Sequence, residues 1–212
     1  MVYTDIQRRE ITLKLVYCGP ALSGKTTNLQ ELHRLMRAQT GTELVSLATR
    51  DDRTLFFDLL PIRIAARGGL QIKLKLFTVP GQVIHNATRR LVLQGADGVA
   101  FVADSQISET RNNNESFANV RANLKENGVD PEAVAVVIQF NKRDLPDIRS
   151  EEEIDRIAAK GDEPVYRATA ITGGGVAETF LGLASLTWRR LEDRYQLDLE
   201  QAQKKSEYCE FT

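Results

Sequence analysis

The feature that most constrains this chain is residues 11–29, ITLKLVYCGPALSGKTTNL, an apolar strand that empties into a glycine-rich loop and then a helix. Within it Gly19-Pro-Ala-Leu-Ser-Gly24-Lys25-Thr26 satisfies GxxxxGK[ST], in the strand–loop–helix setting that gives this motif its meaning. Glycines let successive backbone N–H groups curl round phosphate oxygens without Cβ clashes. The helix that follows adds unpaired N–H groups and a positive dipole end. Gly19, Ala21, Leu22, Ser23, Gly24, Lys25, Thr26 and Thr27 are therefore the expected phosphate cradle. Lys25 is placed to reach the β and γ phosphates, and the Thr26 hydroxyl to ligate Mg²⁺. A plain glycine turn between a strand and a helix would not need all four fixed positions.

The bulk properties fit one domain. At 212 residues and 42% hydrophobic content, the chain can fill a single α/β core but not two of ordinary size. A net charge of −1 gives no basis for nonspecific nucleic-acid or anionic-membrane binding. Cys18 and Cys209 are too few for a disulfide framework, and Cys18 reads as a small buried residue. The first ten residues lack an apolar leader, and no run approaches the roughly 20 apolar residues of a membrane-spanning helix. The expectation is a cytoplasmic protein with no stable membrane insertion. Cys209 lies four from the end, but Glu210 is not aliphatic, which argues against prenylation.

Strand and helix patterns alternate along the chain. Strands are expected over 11–18, 61–66, 70–77, 98–104, 133–140 and 164–169, with a short edge strand within 3–9. Residues 61–66 and 70–77 alternate around Arg67-Gly-Gly69 and predict an antiparallel hairpin. Helices are expected over 25–38, up to Gln94, over 109–127 and 150–160, and after Gly173-Gly-Gly175. In the last of these Phe180, Ala184, Trp188, Leu191, Tyr195 and Leu199 recur at helical spacing. Residues 41–60 are long for a structureless connection, and such loops tend to be functional. The pattern predicts an α/β, doubly wound, mostly parallel sheet with one antiparallel edge strand, and a ligand crevice at the strands' carboxyl ends. Residues 1–195 form the expected domain, and 196–212 a helical extension or disordered tail.

Which base accompanies the phosphates is decided by Asn141-Lys142-x-Asp144, just past a buried strand. A carboxylate there accepts both N1–H and the exocyclic amine of guanine, donors that adenine does not offer. Asn141 can bridge neighbouring loops, and the Lys142 stem can lie along the base. Thr169-Ala170, past the next strand, can offer a backbone N–H to guanine O6. In Thr78-Val-Pro-Gly81-Gln82, Gly81 can present its N–H to a γ-phosphate and Gln82 can orient a water. Standing alone, that segment would read equally well as a Pro-Gly turn.

The phosphate loop, PGQ, NKRD and the Thr169-Ala170 step occur in the order and spacing of Ras-like small GTPases, which share the P-loop NTPase fold. The segments SLATRDDRTLFFDLLP and FTVPGQVIHNATR resemble more specifically the MglA family of bacterial gliding and polarity GTPases. The likeness covers about residues 8–195. It implies GTP/GDP and Mg²⁺ as ligands, with Gly24, Lys25 and Thr26 on phosphate and metal, and Thr54 on the metal when GTP is bound. It also implies that Arg53 stabilises transition-state charge from within the chain and that Gln82 positions the water. Asn141, Lys142, Asp144 and Ala170 would read guanine. Taken alone, Arg53 in a charged loop would more often be a solvated side chain.

The implied partners are an MglB-like Roadblock-domain activating protein and polarity or motility effectors, with recruitment to a cell pole within what the resemblance allows. Turnover would be slow without the activator. One position departs from the wider Ras-like pattern: the usual Mg²⁺-site Asp is Thr78, as in MglA-like sequences, and Asp58 or Asp52 are candidate substitutes. The rival expectations are a nucleotide-dependent scaffold without useful hydrolysis, and a small-molecule P-loop kinase. The kinase would need a lid, and no segment is long enough for one.

Overall fold

A computed structural model of the chain describes residues 3–5, 9–40, 43–47, 57–65, 69, 71–79, 86–129 and 134–195. These hold strands β1 (Tyr3–Asp5), β2 (Glu10–Cys18), β3 (Val45–Leu47), β4 (Phe57–Ala65), β5 (Gln71–Thr78), β6 (Gly98–Asp104), β7 (Ala135–Asn141) and β8 (Val165–Arg167). The helices are α1 (Lys25–Thr40), α2 (Asn86–Leu93), α3 (Thr110–Glu126), α4 (Glu151–Ala158) and α5 (Val176–Tyr195).

One sheet runs in the order β3-β4-β5-β2-β6-β7-β8, with β1 added to β2. The pairings β2–β5, β2–β6, β6–β7 and β7–β8 are parallel. The chain leaves β2 towards one side of the sheet and returns for β6 on the other. The direction therefore switches at the carboxyl end of β2, which is where open α/β sheets bind their ligands. The expected mostly parallel, doubly wound sheet is present, and β4 is its antiparallel strand, paired from Leu59↔Phe77 to Ala65↔Gln71.

Three details differ from the sequence reading. First, two short strands, β1 and β3, also pair antiparallel, so β3 lies outside β4 over Val45↔Leu59 to Leu47↔Phe57. Charges and threonines had masked both β3 and the start of β4 within residues 41–60. Second, β4 starts at Phe57, four residues before the expected 61, and carries Pro61 in mid-strand. Proline is tolerated there because the β3 pairing covers only Phe57–Leu59 of β4, leaving that flank of Pro61 without a ladder among the described residues. Third, α5 buries Val176, Thr179, Phe180, Leu183, Thr187 and Leu191, while Ala184 and Trp188 are half-buried. Its inner face keeps the expected Phe180, Ala184, Trp188 and Leu191 and is broader than that stripe because two threonines can go inside, each donating its hydroxyl to the carbonyl four residues back. The extension beyond residue 195 lies outside the described residues.

The sheet divides the core in two. On one face Leu13, Leu15, Leu74 and Leu76 pack with Leu29 and Leu32 of α1 and Phe180 and Leu183 of α5. On the other, Val16, Val99 and Phe101 meet Leu93, Val120, Leu124 and Ile154. β6 is buried along its whole length, which explains its unbroken apolar run. Cutting back any one of these leucines to alanine costs about 2–5 kcal/mol. That rigidity holds the carboxyl ends of β2, β6, β7 and β8 in register.

Candidate functional site

At the end of β2 the chain turns through Gly19 (φ 142°), Leu22 (φ 62°) and Gly24 (φ 97°) before α1 begins at Lys25. Side chains do not fit at the two glycines. A Cβ on Gly19 would lie 2.1 Å from the Val102 carbonyl oxygen, and one on Gly24 would lie 2.2 Å from Asn141 Nδ2. Both clashes come from β6 and β7, so the loop is pressed onto the neighbouring strand ends. Leu22 and Ala21 are exposed, Ser23 and Lys25 are buried, Thr26 is exposed on the first turn of α1, and Thr27 is half-buried.

Lys25 is the main electrostatic feature. It is 7% exposed, and Nζ donates to the carbonyls of Pro20 at 2.6 Å and Gly19 at 3.2 Å. Burial pulls its pKa down to about 8; the Cys18 thiolate would oppose this, and the Arg89 charge adds to it. Among the described residues it has no carboxylate partner. A buried ammonium without an anion is costly, and a phosphate group repairs that cost. The buried Ser23 Oγ has no hydrogen-bond partner. These two observations fit a polyanion in the loop.

The base side is built differently. Asn141, the last residue of β7, donates Nδ2 to the Ser23 carbonyl at 2.8 Å, and its Oδ1 accepts the Ala170 N–H at 2.9 Å. One buried carboxamide thus joins the phosphate loop to the loop after β8. The Ala170 N–H, expected to reach guanine O6, is committed to Asn141 here and would have to be shared with the base. Thr169 is half-buried beside it. Lys142 (φ 65°) places Nζ 2.6 Å from Asp104 Oδ2, with Asp104 only 5% exposed. That pair lays the lysine stem over the end of β6. Asp144 is exposed, and the Arg143 N–H holds the turn by donating to the Ala168 carbonyl.

At Thr78 the departure from the Ras-like pattern has a structural counterpart. Thr78 Oγ1 accepts the Asp58 N–H at 2.9 Å and donates to Asp58 Oδ2 at 3.1 Å, with both residues buried. A buried carboxylate, Asp58, thus lies against Thr78 across the β4–β5 ladder. Asp52, the other candidate substitute, lies outside the described residues, as do Arg53, Thr54, Gly81 and Gln82. Among the described residues no group of three or more His, Cys, Asp or Glu forms a metal cage. Mg²⁺ held by a threonine hydroxyl, phosphates and water needs none.

Asp104 and the Asn28–Gln139–Thr179 group beneath the site escaped sequence reasoning. The available signals were a carboxylate ending a buried strand and a glutamine interrupting an apolar one.

No family model matches the chain. It is 46% identical over 192 residues to the mutual gliding-motility protein MglA of Myxococcus xanthus, a match covering 91% of this chain and 98% of that protein. At that identity and coverage, with the phosphate loop, NKRD and the threonine at position 78 set as described, the chain belongs to the MglA family of Ras-like small GTPases.

Proposed function

We propose that this MglA-family GTPase is a guanine-nucleotide switch in which Lys25, Thr26 and the loop from Gly19 to Thr27 hold the phosphates and Asp144 selects the base. The observation that carries this is the Asn141 bridge, because it sets the phosphate loop and the base loop side by side around one crevice. Asp144, exposed at its rim, is free to accept the two guanine donors. Lys142, braced by Asp104, covers the base plane.

Mg²⁺, when bound, neutralises charge on the β and γ phosphates. Thr26 would ligate it directly, Thr54 would join in the GTP state, and Asp58 would serve its outer shell in place of the usual aspartate at position 78. In hydrolysis Gln82 orients the attacking water, Gly81 donates its N–H to the γ-phosphate, and Arg53 stabilises the charge that develops there. An arginine in that role contributes on the order of 10³ to 10⁵ in rate. Loss of the γ-phosphate releases the segments around Thr54 and Gly81, and partners read that change.

The proposed partners are an MglB-like Roadblock-domain activator and effectors of polarity or gliding motility, the latter in line with the name of the Myxococcus relative. No helix among the described residues is long and apolar enough to cross a membrane. Recruitment to a cell pole would then run through partners.

Single-turnover GTP hydrolysis with the activator present tests the assignment. Arg53→Ala and Gln82→Ala should each retain GDP affinity within about threefold and lose at least about 10²-fold in activated rate. Wild-type rates in both variants would remove these residues from the mechanism.

A further inference from the structure

Two residues before Asn141, on the same face of β7, lies Gln139, fully buried in a strand that is otherwise apolar up to Asn141. Its carboxamide pairs reciprocally with that of Asn28 on α1. Asn28 Nδ2 donates to Gln139 Oε1 at 2.9 Å, and Gln139 Nε2 donates to Asn28 Oδ1 at 2.9 Å. The second Asn28 Nδ2 hydrogen goes to the Gly24 carbonyl at 2.9 Å. The second Gln139 Nε2 hydrogen goes to Thr179 Oγ1 at 2.8 Å. Thr179, on the first turn of α5, passes its own hydroxyl hydrogen to the Gly175 carbonyl at 2.7 Å. All three side chains are fully buried. Every amide and hydroxyl hydrogen in the group is used, so the network has one arrangement and no spare partner.

The three elements it ties are the ones that carry the site. Gly24 and α1 carry the phosphate loop, β7 carries the base-reading tetrad, and α5 follows the Thr169-Ala170 loop. Asn141 joins the same three segments one layer higher, through Ser23 and Ala170. The core could have been filled there with leucine or valine at no cost in desolvation. A hydrocarbon core would hold the elements together without fixing how far Gly24 stands from Asn141.

We propose that Gln139, Asn28 and Thr179 are positioning residues for nucleotide binding, forming a second layer of amide bridges that sets the spacing between the phosphate loop and the base loop. This rests on the nucleotide-site reading above.

The test is the dissociation rate of a fluorescent GDP analogue from Mg²⁺-loaded full-length protein, chased with excess GDP. Asn28→Leu/Gln139→Met removes both halves of the reciprocal pair while keeping a similar number of side-chain heavy atoms, and leaves Gly24 O its backbone donor from Asn28 N. Release should accelerate about tenfold or more, as expected for loss of a buried hydrogen-bonded pair that acts on the site. Single-turnover GTP hydrolysis at saturating nucleotide should stay within about threefold of wild type, since neither Arg53 nor Gln82 is altered. A merely structural role would impair both together, speeding release and slowing hydrolysis. Thr179→Val, close to isosteric, should accelerate release by a few-fold, about two to five, and carries the test alone if the double variant does not fold. Release within about twofold of wild type in folded variants with unchanged circular dichroism would overturn the proposal. If the wild type itself fails to bind guanine nucleotide, the underlying site reading falls instead.

Discussion

The two halves of the crevice are finished to different degrees. On the base side every buried polar group singled out has its partner within the protein: Asn141 with Ser23 and Ala170, Lys142 with Asp104, Gln139 with Asn28 and Thr179. On the phosphate side a buried ammonium leans on two carbonyls, and the Ser23 hydroxyl has no partner. The base side is therefore a rigid template that exists without its ligand. In the proposed site the phosphate side would be completed by the nucleotide, with binding energy concentrated where the protein alone is least satisfied.

The sharpest way to break this contrast is Lys25→Met. It should weaken GDP binding by about 10²- to 10³-fold, because a buried charge pair loses one member. The melting midpoint of the nucleotide-free protein should hold or rise, since an uncompensated buried cation has gone. A fall in that midpoint would mean that Lys25 is structural in the empty protein.

Asn141→Ala should behave in the opposite way. It strands the Ser23 carbonyl and the Ala170 N–H, so the empty protein should lose about 2–4 kcal/mol by denaturant titration, with binding also impaired. An unchanged midpoint would show that the base side is not preformed.

The smallest effect is in pH. The Lys25 pKa of about 8 in the empty protein lies below its ordinary 10.5, and phosphates favour the charged form. Binding should therefore take up a proton, and GDP affinity should fall about fourfold between pH 7 and 8.5 by calorimetry. The empty protein should change in the other sense. With its folded-state pKa depressed, it gains stability as pH rises from about 8 towards 10.5. A flat affinity profile would mean that Lys25 stays fully charged when empty.

What could be read from the sequence follows how local each signal is. The phosphate loop was legible because strand, glycines, lysine and helix are contiguous. Asn141 and Asp144 were legible because NKxD stands just past an apolar run. The Asn28–Gln139 pair spans 111 positions, and neither residue announces the other. Only a glutamine amid AVVIFN hinted at it. The Asp58–Thr78 contact was half visible: the threonine marked a missing carboxylate and Asp58 was one of two candidates, but the β4–β5 register was needed to set Asp58 against Thr78. Strand β3 and the true start of β4 were hidden because their charged and threonine-rich surroundings blur the two-residue period. The inner face of α5 was legible in part: Phe180, Ala184, Trp188 and Leu191 pack in the core as their spacing indicates, while Thr179 and Thr187 join them because each donates its hydroxyl to the carbonyl four residues back.

The central claim is that a preformed carboxamide-braced template selects guanine while the phosphate loop supplies the grip. Calorimetric titration with Mg²⁺-GDP and Mg²⁺-ADP, on wild type and on Asp144→Asn, tests it most directly. The wild type should prefer GDP by at least about 10³-fold, and Asp144→Asn should lose most of that preference while remaining folded. Equal binding of the two nucleotides by the wild type, or a preference untouched in Asp144→Asn, would contradict the account.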